Sequence, residues 1–248
     1  MGIVRTVLLS VYYVVCIVCV GVVGIPRTLL TGRVDWLYWT AMKVALGGVK
    51  LIGIKVEVQG LERFDPKGTY IYMCNHVSNL DPPIVVPLIP RRTSVLVKKE
   101  LFRVPILSRA MLLGSFVPVD RSNRDAAIAS VQRASEVLHS GINITVFPEG
   151  TRSRDGRLKP FKKGPFHMAI ESGASIIPMT IYGTETMMPK RGWSISTGKA
   201  TLVFHAPVDP KRFGSREELM AAVQNAVASA LPKHMLPALE NTGTSNQP

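Results

Sequence analysis

The chain has 248 residues, 46% of them hydrophobic, enough for one α/β domain of ordinary size plus an appendage. Its 30 Lys and Arg against 17 Asp and Glu leave a formal charge of +13, so an anionic partner is expected: a nucleic acid, an anionic bilayer or a phosphorylated small molecule. Cys16, Cys19 and Cys74 are odd in number, and the Cys16/Cys19 pair lies inside a wholly apolar run rather than in a redox or zinc context, which leaves them as buried packing residues.

The first element is the charge-free run at residues 7–25, VLLSVYYVVCIVCVGVVGI. As a helix its 19 residues would extend roughly 28 Å, close to a hydrocarbon core of ~30 Å, and they exceed the ~7–15 residue apolar core of a signal peptide. The run predicts an uncleaved membrane anchor. Residues 35–53 follow a different pattern. At about 100° per residue, Trp36, Trp39, Lys43, Gly47 and Lys50 share one stripe, while Leu37, Ala41, Met42, Ala45, Val49 and Ile52 cover most of the rest. Tryptophan and snorkelling lysine on one stripe suit a membrane-water boundary; a core-packing helix with a few exposed residues gives the same pattern. Residues 1–53 are read as a membrane-associated helical arm, spanning the bilayer or lying in one leaflet. Arg27 and Arg33 after the first run, against Arg5 before it, tilt the positive-inside rule towards a cytoplasmic body.

From residue 54 the pattern alternates. IKVEVQ (54–59), TYIYMCN (69–75) and SVLVK (94–98) read as strands, followed by a helix over 125–140 that stops at Gly141 and a strand INITVF (142–147). ASIIPMTIYG (174–183) and ATLVFHAP (200–207) read as two more strands, with Pro178 predicting a bulge or an edge in the first. Ser215 and Glu218 form a capping box that opens an alanine-rich helix running to about residue 231. The predicted architecture is an α/β domain over residues 54–239, a mixed, mostly parallel sheet flanked by helices, ending in a flexible polar tail at 240–248.

Two stretches carry chemistry, and each follows the carboxyl end of a predicted strand, where open α/β sheets commonly bind ligands. In CNHVSNLDPP (74–83), His76 and Asp81 can pair so that the carboxylate fixes the imidazole tautomer and stabilises the imidazolium formed when the ring takes a proton. A capped helix start or a polar surface gives the same spacing. Pro82 and Pro83 favour an extended or turning backbone there, and Ser78 is read as a cap for the following helix. In FPEGTRS (147–153), Gly150, backbone N–H groups and Arg152 offer an anion site, or a plain basic turn. Residues 91–125 hold eight basic against three acidic side chains and residues 149–163 six against two, so these windows carry +9 of the +13. There is no G-x-S-x-G elbow, no zinc-ligand cluster and no P-loop pattern. A histidine base here would therefore take its proton from a substrate hydroxyl.

The same blocks give the sequence its resemblance to the glycerolipid acyltransferase family, and within it to the 1-acylglycerol-3-phosphate acyltransferases. NHVSNLD resembles the family's N-H-x-x-x-x-D block, GSFVPVDR (114–121) its second, FPEGTR (147–152) its third and IIPM (176–179) its fourth, in the family's order. The resemblance implies a glycerol-3-phosphate acyltransferase-like fold, with His76 as general base and Asp81 as its orienting partner. It also implies phosphate binding by Lys99, Arg121, Glu149, Gly150, Thr151 and Arg152. The reaction implied is acyl transfer from acyl-CoA or acyl carrier protein to lysophosphatidic acid, with no metal or bound cofactor. The implied partners are a phospholipid membrane and those substrates, not nucleic acid, with the catalytic domain on the cytoplasmic side. Glycerol-3-phosphate or another lysolipid as acceptor, or a membrane-tethered thioesterase, stays open.

Overall fold

In the computed structural model, which describes residues 1–120, 124–189 and 192–237, the charge-free run lies inside a 30-residue helix, α1 (Gly2–Thr31). Gly32, at φ 68°, ends it in the left-handed conformation that glycine adopts without a Cβ penalty, and its N–H caps the Thr28 carbonyl at 2.9 Å. The chain then turns back into α2 (Asp35–Leu51), which runs antiparallel to α1. The Tyr12 and Tyr13 hydroxyls donate to the Val44 and Ala45 carbonyls, at 3.3 and 2.8 Å. Close approach here depends on Gly48, where a Cβ would meet both tyrosine rings at 2.7–2.9 Å.

After this hairpin come β1 (Ile54–Gln59), β2 (Ile71–Cys74), α3 (Asp81–Val85), β3 (Thr93–Lys98), α4 (Pro105–Leu113), β4 (Val117–Val119) and α5 (Arg124–His139). The chain continues through β5 (Asn143–Val146), α6 (Gly164–Ser172), β6 (Ile176–Tyr182), α7 (Thr184–Met187), β7 (Gly198–Phe204) and α8 (Arg216–Ser229). Among the described residues the strands form one seven-stranded sheet, ordered β1-β7-β6-β2-β5-β3-β4, in which only β6 and β7 pair antiparallel.

Side-chain alternation sorts the core into two layers. Ile71 and Met73 of β2, with Ile144, Val146 and Ile176, pack against Leu138 of α5, Phe166 and Met168 of α6, and Leu219, Val223 and Val227 of α8. Tyr72 and Cys74, with Ile177, Met179 and Ile181, pack on the other face against Val49 and Ile52 at the end of α2 and Ile84 and Val85 of α3. The arm is thus joined to the body by shared apolar burial. Tyr38 of α2 adds a polar tie, its hydroxyl donating to the Thr93 carbonyl and accepting the Thr93 N–H, both at 3.0 Å.

Several expectations change. β6 is an interior strand, not an edge: Pro178 falls one residue short of the β6–β7 ladder, where its missing N–H matters little, and its carbonyl still accepts the His205 N–H at 3.0 Å. Pro82 and Pro83 start α3 rather than extending the chain, because the first helical turn has no internal use for their missing N–H groups. Cys74 is buried, but Cys16 is half-buried and Cys19 exposed, since α1 docks by one face only. On α2, Trp36, Lys43 and Lys50 are exposed while Trp39 and Gly47 are half-buried, so the stripe is the outward side of the hairpin. The tail at 240–248 and Arg121 lie outside the described residues.

Candidate active site

β5, β2 and β6 are adjacent, parallel and central, so the segments leaving their carboxyl ends converge. β2 delivers Asn75 and His76, β5 delivers residues 147–150, and β6 delivers Gly183 and Thr184. Asn75 fastens the first of these to the third: its side-chain nitrogen donates to the Ile181 carbonyl and its side-chain oxygen accepts the Ile181 N–H, both at 2.8 Å.

His76 is held on every side. Its Nδ1 lies 2.8 Å from Asp81 Oδ2, and the same oxygen accepts the N–H groups of Val77 and Ser78 at 2.7 Å each. Asp81 Oδ1 accepts the Thr184 hydroxyl at 2.6 Å. A carboxylate receiving these donors leaves Nδ1 carrying the imidazole proton and Nε2 as the nitrogen with a lone pair to offer. The third block clamps the histidine backbone. Glu149 Oε1 accepts the His76 N–H at 2.7 Å, the Ser153 N–H donates to the His76 carbonyl at 2.9 Å, and the Phe147 ring packs on the imidazole with centroids 4.4 Å apart. Ser78 caps less than expected: its hydroxyl accepts the Leu80 N–H at 3.3 Å and donates to the Met188 carbonyl at 2.9 Å.

The residues expected to meet a phosphate separate into two kinds. Glu149 is only 1% exposed and faces the His76 amide. Burial pushes its carboxyl up to about 8, so at neutral pH it is mostly uncharged and does not repel an anion nearby. Gly150, at φ 72°, turns the chain behind it, its N–H donating to the Phe147 carbonyl at 2.9 Å. Thr151 is exposed and Arg152 half-exposed beyond that turn. Lys99, just past β3, forms an ion pair with Asp120, just past β4, so its cation already has a counter-charge.

Cys74, two residues before His76, is not a competing nucleophile, because burial pushes its thiol well above the ordinary range and the Asp81 charge adds to the effect. The arrangement can therefore remove a proton from an incoming hydroxyl without a protein nucleophile. Sequence reading missed Thr184 and Ser153. Thr184 lies 103 positions from Asp81, and nothing in its spacing points there.

A family model described as Acyltransferase matches residues 55–182. The chain belongs to the acyltransferase family. It is similar to two family proteins called 1-acyl-sn-glycerol-3-phosphate acyltransferase. That of Limnanthes douglasii is 33% identical over 223 residues, covering 85% of this chain and 78% of the other. That of Limnanthes alba is 36% identical over 184 residues, covering 70% and 65%. Within the family, the crystal structure of the 1-acyl-sn-glycerophosphate (LPA) acyltransferase PlsC from Thermotoga maritima matches at a TM-score of 0.78 and 30% identity, over 91% of this chain and 92% of that one.

Proposed function

We infer that this acyltransferase moves a fatty acyl group from a thioester donor to the free hydroxyl of 1-acylglycerol-3-phosphate (lysophosphatidic acid), forming phosphatidic acid. The observation that carries the reading is the buried His76–Asp81 pair, set at the carboxyl edge of the sheet in a chain that aligns along most of its length with enzymes bearing that name. His76 Nε2 takes the proton of the acceptor hydroxyl as its oxygen attacks the thioester carbonyl carbon. When the tetrahedral intermediate collapses, the C–S bond breaks and the imidazolium proton goes to the departing thiolate, whether of CoA or of acyl carrier protein. Asp81 holds the ring and stabilises its charge between these two steps.

In this reading Arg152, with Arg121 and Lys99, holds the phosphate and so fixes the hydroxyl near His76. The apolar cavity of about 210 Å³ between α1, α2 and α4, lined by residues such as Ile17, Leu37, Met42 and Phe116, has the chemistry to accept hydrocarbon. Residues 1–53 serve as the membrane arm and residues 54–239 as the catalytic unit.

The arm favours lying in one leaflet over spanning. α1 exposes Val7, Leu8, Val11, Val14, Val15, Val18, Val22 and Val23, an apolar side fit for lipid. Both of its ends, however, touch the rest of the fold. Near the start, the Thr6 hydroxyl donates to the Trp193 carbonyl at 2.8 Å and accepts the Ile195 N–H at 3.2 Å; near the end, Gly21 and Gly24 lie against Ile106 and Leu37. A helix crossing ~30 Å of hydrocarbon would drag that polar loop into the bilayer with it. The supply of water-soluble thioester puts the body on the cytoplasmic side.

An acceptor panel with a labelled acyl-thioester tests the activity: lysophosphatidic acid, glycerol-3-phosphate, lysophosphatidylcholine and no acceptor. Lysophosphatidic acid should give the fastest transfer. Preference for lysophosphatidylcholine would overturn the acceptor assignment, and equal thioester loss without acceptor would make the protein a thioesterase. For the arm, single cysteines at Ile3 and Arg33 in a background lacking the native three should both react with an impermeant thiol reagent from one side of sealed vesicles; labelling from opposite sides would mean that α1 spans.

A further inference from the structure

We propose that Thr184 is a positioning residue of the reaction: its hydroxyl locks the rotation of the Asp81 carboxylate and so fixes the angle at which His76 presents its free nitrogen. The proposal rests on the reading of His76 as general base. Asp81 Oδ2 receives the His76 ring and the Val77 and Ser78 N–H groups, all from its own loop, so none of these bonds fixes the carboxylate against the rest of the fold. The bond to Oδ1 comes from elsewhere in the fold, at the 2.6 Å typical of a hydroxyl on a carboxylate. It ties the loop after β2 to the segment after β6.

Thr184 is built to hold still. It is fully buried, and its β-branched side chain has few χ1 choices. The residue before it, Gly183, adopts φ 93° so that β6 can turn sharply into α7, and a Cβ there would collide with the Lys199 carbonyl oxygen of the neighbouring strand β7. The hydroxyl is therefore aimed by the sheet itself. Without it, Oδ1 would be a buried charged oxygen with no donor, and the carboxylate would twist to find one, carrying Nδ1 with it.

The test compares Thr184→Val, which keeps the shape and removes the donor, with Thr184→Ser, which keeps the donor, in the purified full-length chain with lysophosphatidic acid and an acyl-thioester. The valine variant should lose about 10- to 100-fold in kcat with both KM values within about threefold, and serine should restore kcat to within about threefold of wild type. In an Asp81→Asn background the valine change should add less than about threefold, because residues acting as a unit do not add. Unchanged kcat in Thr184→Val, a serine variant as slow as the valine one, or a full extra loss on top of Asp81→Asn would each overturn the proposal. Should the valine variant not fold, Thr184→Ala carries the same comparison. His76→Ala assayed alongside separates the two levels: if it stays active, the general-base reading fails; if it is inactive while Thr184→Val is fast, only the proposal fails.

Discussion

Asp81 is fully buried and accepts hydrogen bonds from a ring, two backbone amides and a hydroxyl, whereas Thr151 and Arg154 of the basic turn are exposed. Both segments leave neighbouring parallel strands, so the sheet does not account for the difference. A group that must move a proton along one direction benefits from being over-determined, because a small tilt of the ring lengthens the reacting distance. Groups that hold a phosphate can stay solvated and long-limbed, because charge attraction falls off slowly and tolerates several poses. On the proposed roles, rigid chemistry and adaptable binding sit side by side, and Glu149 joins the two segments: it belongs to the basic turn in sequence and to the histidine clamp in space.

The largest break should come from the rigid side. His76→Ala is expected to lower kcat by about 10²- to 10⁴-fold while the melting temperature and acceptor binding stay close to wild type, as checked by turnover, thermal unfolding and equilibrium binding. Near-normal turnover in the purified variant would remove the mechanism. On the adaptable side, Arg152→Ala should cost roughly 1.5–3 kcal/mol of kcat/KM for lysophosphatidic acid, about 10- to 150-fold, largely through KM. A loss confined to kcat would place Arg152 with the chemistry instead of the binding.

The smallest effect sharpens the link between the two. The Glu149 carboxyl, raised by burial to about 8, keeps its proton in the folded chain at pH values where the unfolded chain, near the ordinary glutamate value of 4.5, has lost it. The folded state then binds more protons, so this group's contribution to stability is full below about 4.5 and is lost as pH climbs towards about 8. Glu149→Gln, which keeps an acceptor for the His76 amide, should flatten that decline. Melting temperatures of the two proteins from pH 5 to 8 that run parallel would show that burial does not hold the proton there.

Much of the site was legible in the primary structure because its residues are close along the chain. His76 and Asp81 are five positions apart, so a single short loop brings them together, and residues 147–152 form one turn. The apolar-polar alternation of residues 54–59 and the capping box at Ser215, whose hydroxyl accepts the Glu218 N–H at 3.2 Å, likewise rest on local rules. The short elements β4, α3, α4, α6 and α7 had too few residues to show a period.

What the amino-acid sequence by itself determined, then, was the charged and apolar patterning: an uncharged helix at the front, an alternating α/β body, a histidine and an aspartate within reach of each other, and two basic windows. The tertiary structure decided everything that depends on which strands become neighbours. Placing β2 between β5 and β6 made Glu149 the acceptor for the His76 amide, brought Thr184 to Asp81 across 103 positions, and made the strand of Pro178 an interior one. The contacts of both ends of α1 with the rest of the fold were likewise beyond what its length could show. Hydrogen bonds and close packing act over a few ångströms of space, and sequence separation carries no information about such distances once a sheet has reordered its strands.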